Sequence, residues 1–142
     1  MSSQRGFSLI EALIALVVLS IGLIGVAAMQ LKALQSANAG YQRSVASVAA
    51  VDAQERLWAE WAKPTVNSCD DIDGNEANWR DNWFADSDSK PLRNVKEQGG
   101  RIEPTETDCE FTIEIDLVNR ADDSTSDTFS YTFRLPHLEG GE

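Results

Sequence analysis

Glu11 is the only charge in an apolar run, FSLIEALIALVVLSIGLIGVAAM, that extends from Phe7 to Met29. A carboxylate in such a segment costs about 2.5–3.5 kcal/mol at a helix centre on insertion scales, and less near an end. An ionisable residue kept there is by default a functional candidate with a partner, and the ammonium of a neighbouring chain would suit it. The alternative is a side chain that snorkels to the interface. The next groups with chemistry are Cys69 and Cys109, both beyond the apolar run. An even cysteine count after a membrane-length segment points to an oxidising compartment and a disulfide, with two buried thiols as the alternative.

Other groups are weaker signals. Asp70-Asp71-Ile72-Asp73-Gly74-Asn75-Glu76 invites a calcium reading. Its spacing does not match a loop with oxygen ligands at alternate positions, Gly at the sixth and Glu at the twelfth, so a solvated turn is expected. His137 is the only histidine, which leaves no His cluster for zinc. There is no Ser/His/Asp set and no Gly-rich phosphate loop, so no catalytic, cofactor-binding or metal residue is assigned and enzyme activity is not expected.

The charge is divided unevenly. Residues 1–62 carry Arg5, Lys32, Arg43 and Arg56 against Glu11, Asp52, Glu55 and Glu60, so the whole net charge of −11 falls on residues 63–142. A part that acidic repels phosphate backbones, and nucleic acid is not expected as a partner. It reads first as a soluble exposed surface.

These residues need elements to position them. About 20 apolar residues in a helix cross a bilayer core, and Phe7–Met29 is long enough. Arg5 before it favours an N-in orientation, with the C-terminal part outside. Residues 30–62 are rich in helix formers and lack Pro. Leu34, Ala37, Tyr41, Val45, Val48, Val51, Trp58 and Ala62 recur at steps of three and four, with Glu55 filling the one interrupted step. That period predicts an amphipathic helix ended by Pro64. One helix is therefore expected from about Phe7 to about Ala62. Gly22 and Gly25 fit either close helix packing or a stretch able to unwind.

Lys63 to about Gly100 reads as loop, with a short helix around Glu76–Phe84 that sets Trp79 and Trp83 on one face. These two tryptophans suit either a satellite core or an anchor for a partner subunit. Phe111, Ile113, Ile115 and Leu117 alternate with polar residues, and so do Phe129, Tyr131, Phe133 and Leu135. This predicts a β-hairpin over about 109–135 with one apolar face. Trp58 and Trp61 on the helix are the expected cover. Two strands alone are marginal, so a third is expected around Leu92–Lys96 or Arg101–Glu103.

The run Gly6-Phe7-Ser8-Leu9-Ile10-Glu11, opening a hydrophobic helix, resembles the processing and assembly signature of type IV prepilins. About the first 60 residues resemble the minor pilins called type IV pilus modification protein V. The resemblance implies an α+β, pilin-like fold: a long N-terminal helix, its N-half transmembrane, packed on a small antiparallel sheet. It divides the chain into a leader (1–6), a membrane and filament-core helix (7–29), an amphipathic helix (30–62) and an acidic periplasmic or extracellular part (63–142). It further implies cleavage by a prepilin peptidase between Gly6 and Phe7, and N-methylation of Phe7. Glu11 would face the amino terminus of a neighbouring subunit. The partners would be minor and major pilins, the inner membrane and a tip adhesin. The protein would sit in the inner membrane before assembly and at the cell surface after it. A minor pseudopilin of a type II secretion system shares this signature. A tip module that binds a surface is the reading from another class.

Overall fold

The computed structural model describes residues 8–84, 90–92, 95, 99–118 and 126–136. It forms two compact units, Met1–Asn38 and Ala39–Glu142. Helix α1 spans Leu9–Trp61, matching the expected limits within the described residues. Two residues beyond it, Ala62 N–H still donates to Trp58 O (3.0 Å) and Lys63 N–H to Glu60 O (3.0 Å), and Pro64 follows.

In the first unit the described residues are all Ser8 and α1, and the large apolar side chains from Leu9 to Leu34 are 53–81% exposed. Among the described residues, α1 is the one helix long and apolar enough to cross a membrane. An added Cβ at Gly22 or Gly25 would meet nothing within 4 Å.

The second unit joins the rest of α1 to helix α2 (Glu76–Trp83) and strands β1 (Gly100–Pro104), β2 (Glu110–Val118) and β3 (Ser126–Arg134). The strands make one antiparallel sheet in the order β1-β2-β3. The expected hairpin is β2–β3, and the third strand falls at the second of the two expected places. Leu92 instead makes a single parallel bridge with Phe84. The central strand follows the alternation closely: Phe111, Ile113, Ile115 and Leu117 are buried. Phe129, Tyr131 and Phe133 on the edge strand are only half-buried.

The cover differs from expectation. The buried face of α1 is Ala46, Ala49, Ala50, Ala53 and Leu57; of the expected stripe, Val45 packs against the core, half-buried. Tyr41, Val48 and Val51 are exposed, and so is Trp58, at 39%. Trp61 packs against the core, while the partly exposed Trp58 lies beside the end of the hairpin, lining a shallow pocket with Arg134, Leu135 and Pro136. The reason is volume. A row of alanines lets Trp79 of α2 lie against the helix backbone, where its Nε1–H donates to Ala49 O at 2.9 Å. Larger side chains on that face would hold it off. Trp79 is fully buried and meets Phe84 edge-to-face at 5.0 Å. It is therefore core. Trp83 is half-buried, and its Nε1–H donates to Asp52 Oδ2 at 2.8 Å.

Gly100 completes this arrangement. A Cβ there would lie 2.4 Å from Phe84 Cε2 and 2.9 Å from Trp79 Cζ3. Gly100→Ala is expected to cost about 1–3 kcal/mol by overpacking, measured as a lower thermal midpoint of the detergent-solubilised chain. An unchanged midpoint would contradict this packing.

Candidate assembly site

Ser8 O accepts from Glu11 N–H (2.9 Å) and Ala12 N–H (3.2 Å), which sets the start of α1 and places Glu11 in its first turn. Ser8-Leu9-Ile10-Glu11 also has the Ser-x-x-Glu spacing of a capping box, though among the described residues neither side chain makes the hydrogen bonds of one. A carboxylate in a first turn complements the helix dipole as well. Glu11 is exposed, and among the described residues no hydrogen bond or ion pair engages its carboxylate. Gly6 and Phe7, the expected cleavage and methylation residues, lie outside the described residues.

Cys69 and Cys109 are joined in a disulfide, with Cα atoms 5.2 Å apart and a sequence separation of 40. The bridge ties the 3-10 turn Cys69–Asp71 to the residue before β2. Cys109 has φ of 58°, a left-handed value uncommon for a residue with a side chain. Its carbonyl accepts from Leu135 N–H at 2.8 Å. Asp108 lies near both sulfurs, but sulfurs bonded to each other cannot serve as thiolate ligands. Replacing both cysteines with Ser is expected to cost about 2–4 kcal/mol in unfolding free energy. A denaturant midpoint equal to wild type would contradict it.

The acidic stretch after Cys69 is used within the fold. Asp71 Oδ2 accepts from Ser68 Oγ (3.1 Å), and Asp73 Oδ1 from Asn75 N–H (2.8 Å). Glu76 accepts from Ile102 N–H (2.9 Å) and pairs with Arg80. Gly74, at φ 63°, donates its N–H to Glu60 Oε2 at 2.9 Å, and a Cβ there would press on Leu57 at 3.0 Å. The stretch is a structural turn that leads into α2. His137 lies outside the described residues.

On the exposed sheet face, Arg101 reaches Glu114 (2.8 Å), Asp116 (3.6 Å) and Glu103 (3.7 Å). The hydrogen bond with Glu114, then the charge of Asp116, hold its pKa above the ordinary guanidinium value. At this exposure the cluster orders side chains more than it stabilises the fold.

Residues 1–27 match the family described as the prokaryotic N-terminal methylation motif. No curated protein and no solved structure matches the chain. The motif, the apolar helix behind it and the α+β second unit support a type IV pilin- or pseudopilin-type subunit. The motif and the apolar helix fit membrane anchoring and a pilus surface, and suggest processing by a prepilin peptidase and interaction with other pilins.

Proposed function

We propose that this chain is a minor pilin, a structural subunit that helps initiate or cap a type IV pilus and does no catalysis. The observation that carries this reading is a methylation motif over residues 1–27 running directly into an apolar helix with none of its membrane-length window buried. Likeness to the minor pilins called type IV pilus modification protein V adds support. In this account the leader 1–6 is removed between Gly6 and Phe7, and the Phe7 amine is methylated. Residues 7–29 anchor the subunit in the inner membrane, N-terminus in, and later join the filament core. Residues 30–62 and 63–142 form the exposed head. Glu11 pairs with a neighbour's Phe7 ammonium, an interaction that a low-dielectric helix bundle strengthens.

The same motif serves the pseudopilins of type II secretion, so the deciding experiment is a deletion. Loss of piliation and twitching with normal secretion is expected. Lost exoprotein secretion with intact pili would move the subunit to the secretion system. Intact pili with lost attachment would make it a tip-binding module.

A further inference from the structure

The part of α1 that belongs to the second unit has two patterned faces. One is buried, at Ala46, Ala49, Ala50, Ala53 and Leu57. On the opposite side Tyr41, Ser44, Val48, Val51, Glu55 and Trp58 are all exposed. Their spacing alternates strictly between three and four, and Leu34 and Ala37 hold the same register before them in the sequence. That is a heptad, with Tyr41, Val48 and Glu55 at one repeating position and Ser44, Val51 and Trp58 at the other. A strict heptad keeps its seam aligned when two helices wind around each other, whereas an ordinary helix drifts from it. The buried face does not follow this period.

The head frames the seam and leaves it open. On one flank, Asp52 accepts from Trp83 Nε1–H and Arg56 donates to Asn78, so α2 holds both side chains back. On the other, Gln54 accepts from Tyr131 and Arg43 pairs with Asp127, so β3 does the same. The charges over residues 39–61 are Arg43, Asp52, Glu55, Arg56 and Glu60. Arg43 has Asp127, Asp52 has Arg56, and Glu60 accepts from Gly74 N–H. Glu55 alone has no hydrogen bond or ion pair among the described residues, and it is the charge that lies in the seam.

We propose that this seam binds one parallel helix of a different membrane-anchored chain, which sets a Lys or Arg opposite Glu55. A polar residue at one seam position fixes register and partner at some cost in stability. A second copy is the wrong occupant. It would put Glu55 against Glu55 as the seam closes over them, and bring together two heads from chains of net charge −11. A basic residue in the partner helix turns the same position into an attraction. The parallel direction rests on the proposed reading of residues 7–29 as an anchor, because chains held in one membrane extend their helices the same way. Val48, Val51 and the Trp58 indole then supply the apolar contact, with Tyr41 at the membrane-proximal end.

The probe is the full-length chain itself carrying Glu55→Lys, mixed in detergent micelles with the chain that keeps Glu55. Both also carry Ser44→Cys, and a mass tag marks one of them. Both native cysteines are bridged, so the introduced thiol is the only free one. In a parallel pair in register the two copies of position 44 face each other across the seam. On mild oxidation the ratio of mixed to same-charge dimer is expected to exceed random pairing by at least about twofold, the low end for coupled residues in contact. Thr132→Cys, on the exposed sheet face, is expected to leave the mixture monomeric. A random ratio, or no dimer from Ser44→Cys, would overturn the proposal, as would equal linking through Thr132→Cys. Chains with Glu55 that link among themselves as fully as the mixture would make the seam a self-contact and overturn the need for a cation. The assay needs no filament, so its failure leaves the filament reading standing.

Discussion

Glu11→Ala is expected to leave the chain in the membrane fraction and to remove it from sheared filaments. Insertion depends on the length and apolarity of Phe7–Met29, and taking out a carboxylate only lowers the cost of crossing. Incorporation depends on the proposed pairing with a neighbour's Phe7 ammonium. The position of Glu11 in the first turn of α1, with the capping-box spacing from Ser8, offers a competing explanation for any defect. Glu11→Gln separates the two. Glutamine serves the third position of a capping box as glutamate does, but it carries no charge. If docking is ionic, Gln fails as Ala does, whereas a Gln variant present in filaments at the wild-type level would make Glu11 a helix cap. Membrane fractionation alongside shearing shows whether either variant is lost earlier.

Trp79→Ala is the substitution expected to cost the second unit most, by about 3–5 kcal/mol. Trp79 of α2 is fully buried against α1, with Phe84 on its edge and Gly100 keeping clear the space beside it. Deleting the indole opens a cavity that the alanine face of α1 cannot fill, because those side chains have no length to move. A domain typically has only about 5–15 kcal/mol of net stability, so the variant is expected to be poorly populated at growth temperature. Trp79→Phe keeps most of the volume but loses the donor to Ala49 O, and should cost less, with the hydrogen bond itself about 1 kcal/mol of it. A Trp79→Ala chain that unfolds within about 1 kcal/mol of wild type would place Trp79 outside the core, where losses are small.

Those two residues also mark what the sequence could tell. The helix limits, the short helix that carries Trp79 and Trp83, the hairpin and the cysteine pair were legible because each has a local cause. Pro64 stops a helix, alternation along 111–117 makes a half-buried strand, and two cysteines in an oxidising setting join. The buried face of α1 was not legible. Val48, Val51 and Trp58 carry a stronger hydrophobic signal than Ala46, Ala49, Ala50 and Ala53, yet the alanines are inside. Periodicity found an apolar face, but the choice between two faces depended on how closely Trp79 approaches the backbone. That distance is tertiary information. The same limit applied to β1: Gly100 was chosen by the rings of Phe84 and Trp79, which lie far from it in sequence. For Glu11 the residue type and its place in the apolar run were visible, but its relation to the Ser8 turn emerged only with the helix start.

The central claim is that the chain is processed and built into a filament through its N-terminal helix. Intact-mass and N-terminal peptide spectrometry of the protein recovered from sheared filaments tests it most directly. The account predicts a chain that begins at Phe7 and carries one added methyl group on its amine. A filament-borne chain that begins at Met1 or Ser2 would contradict it.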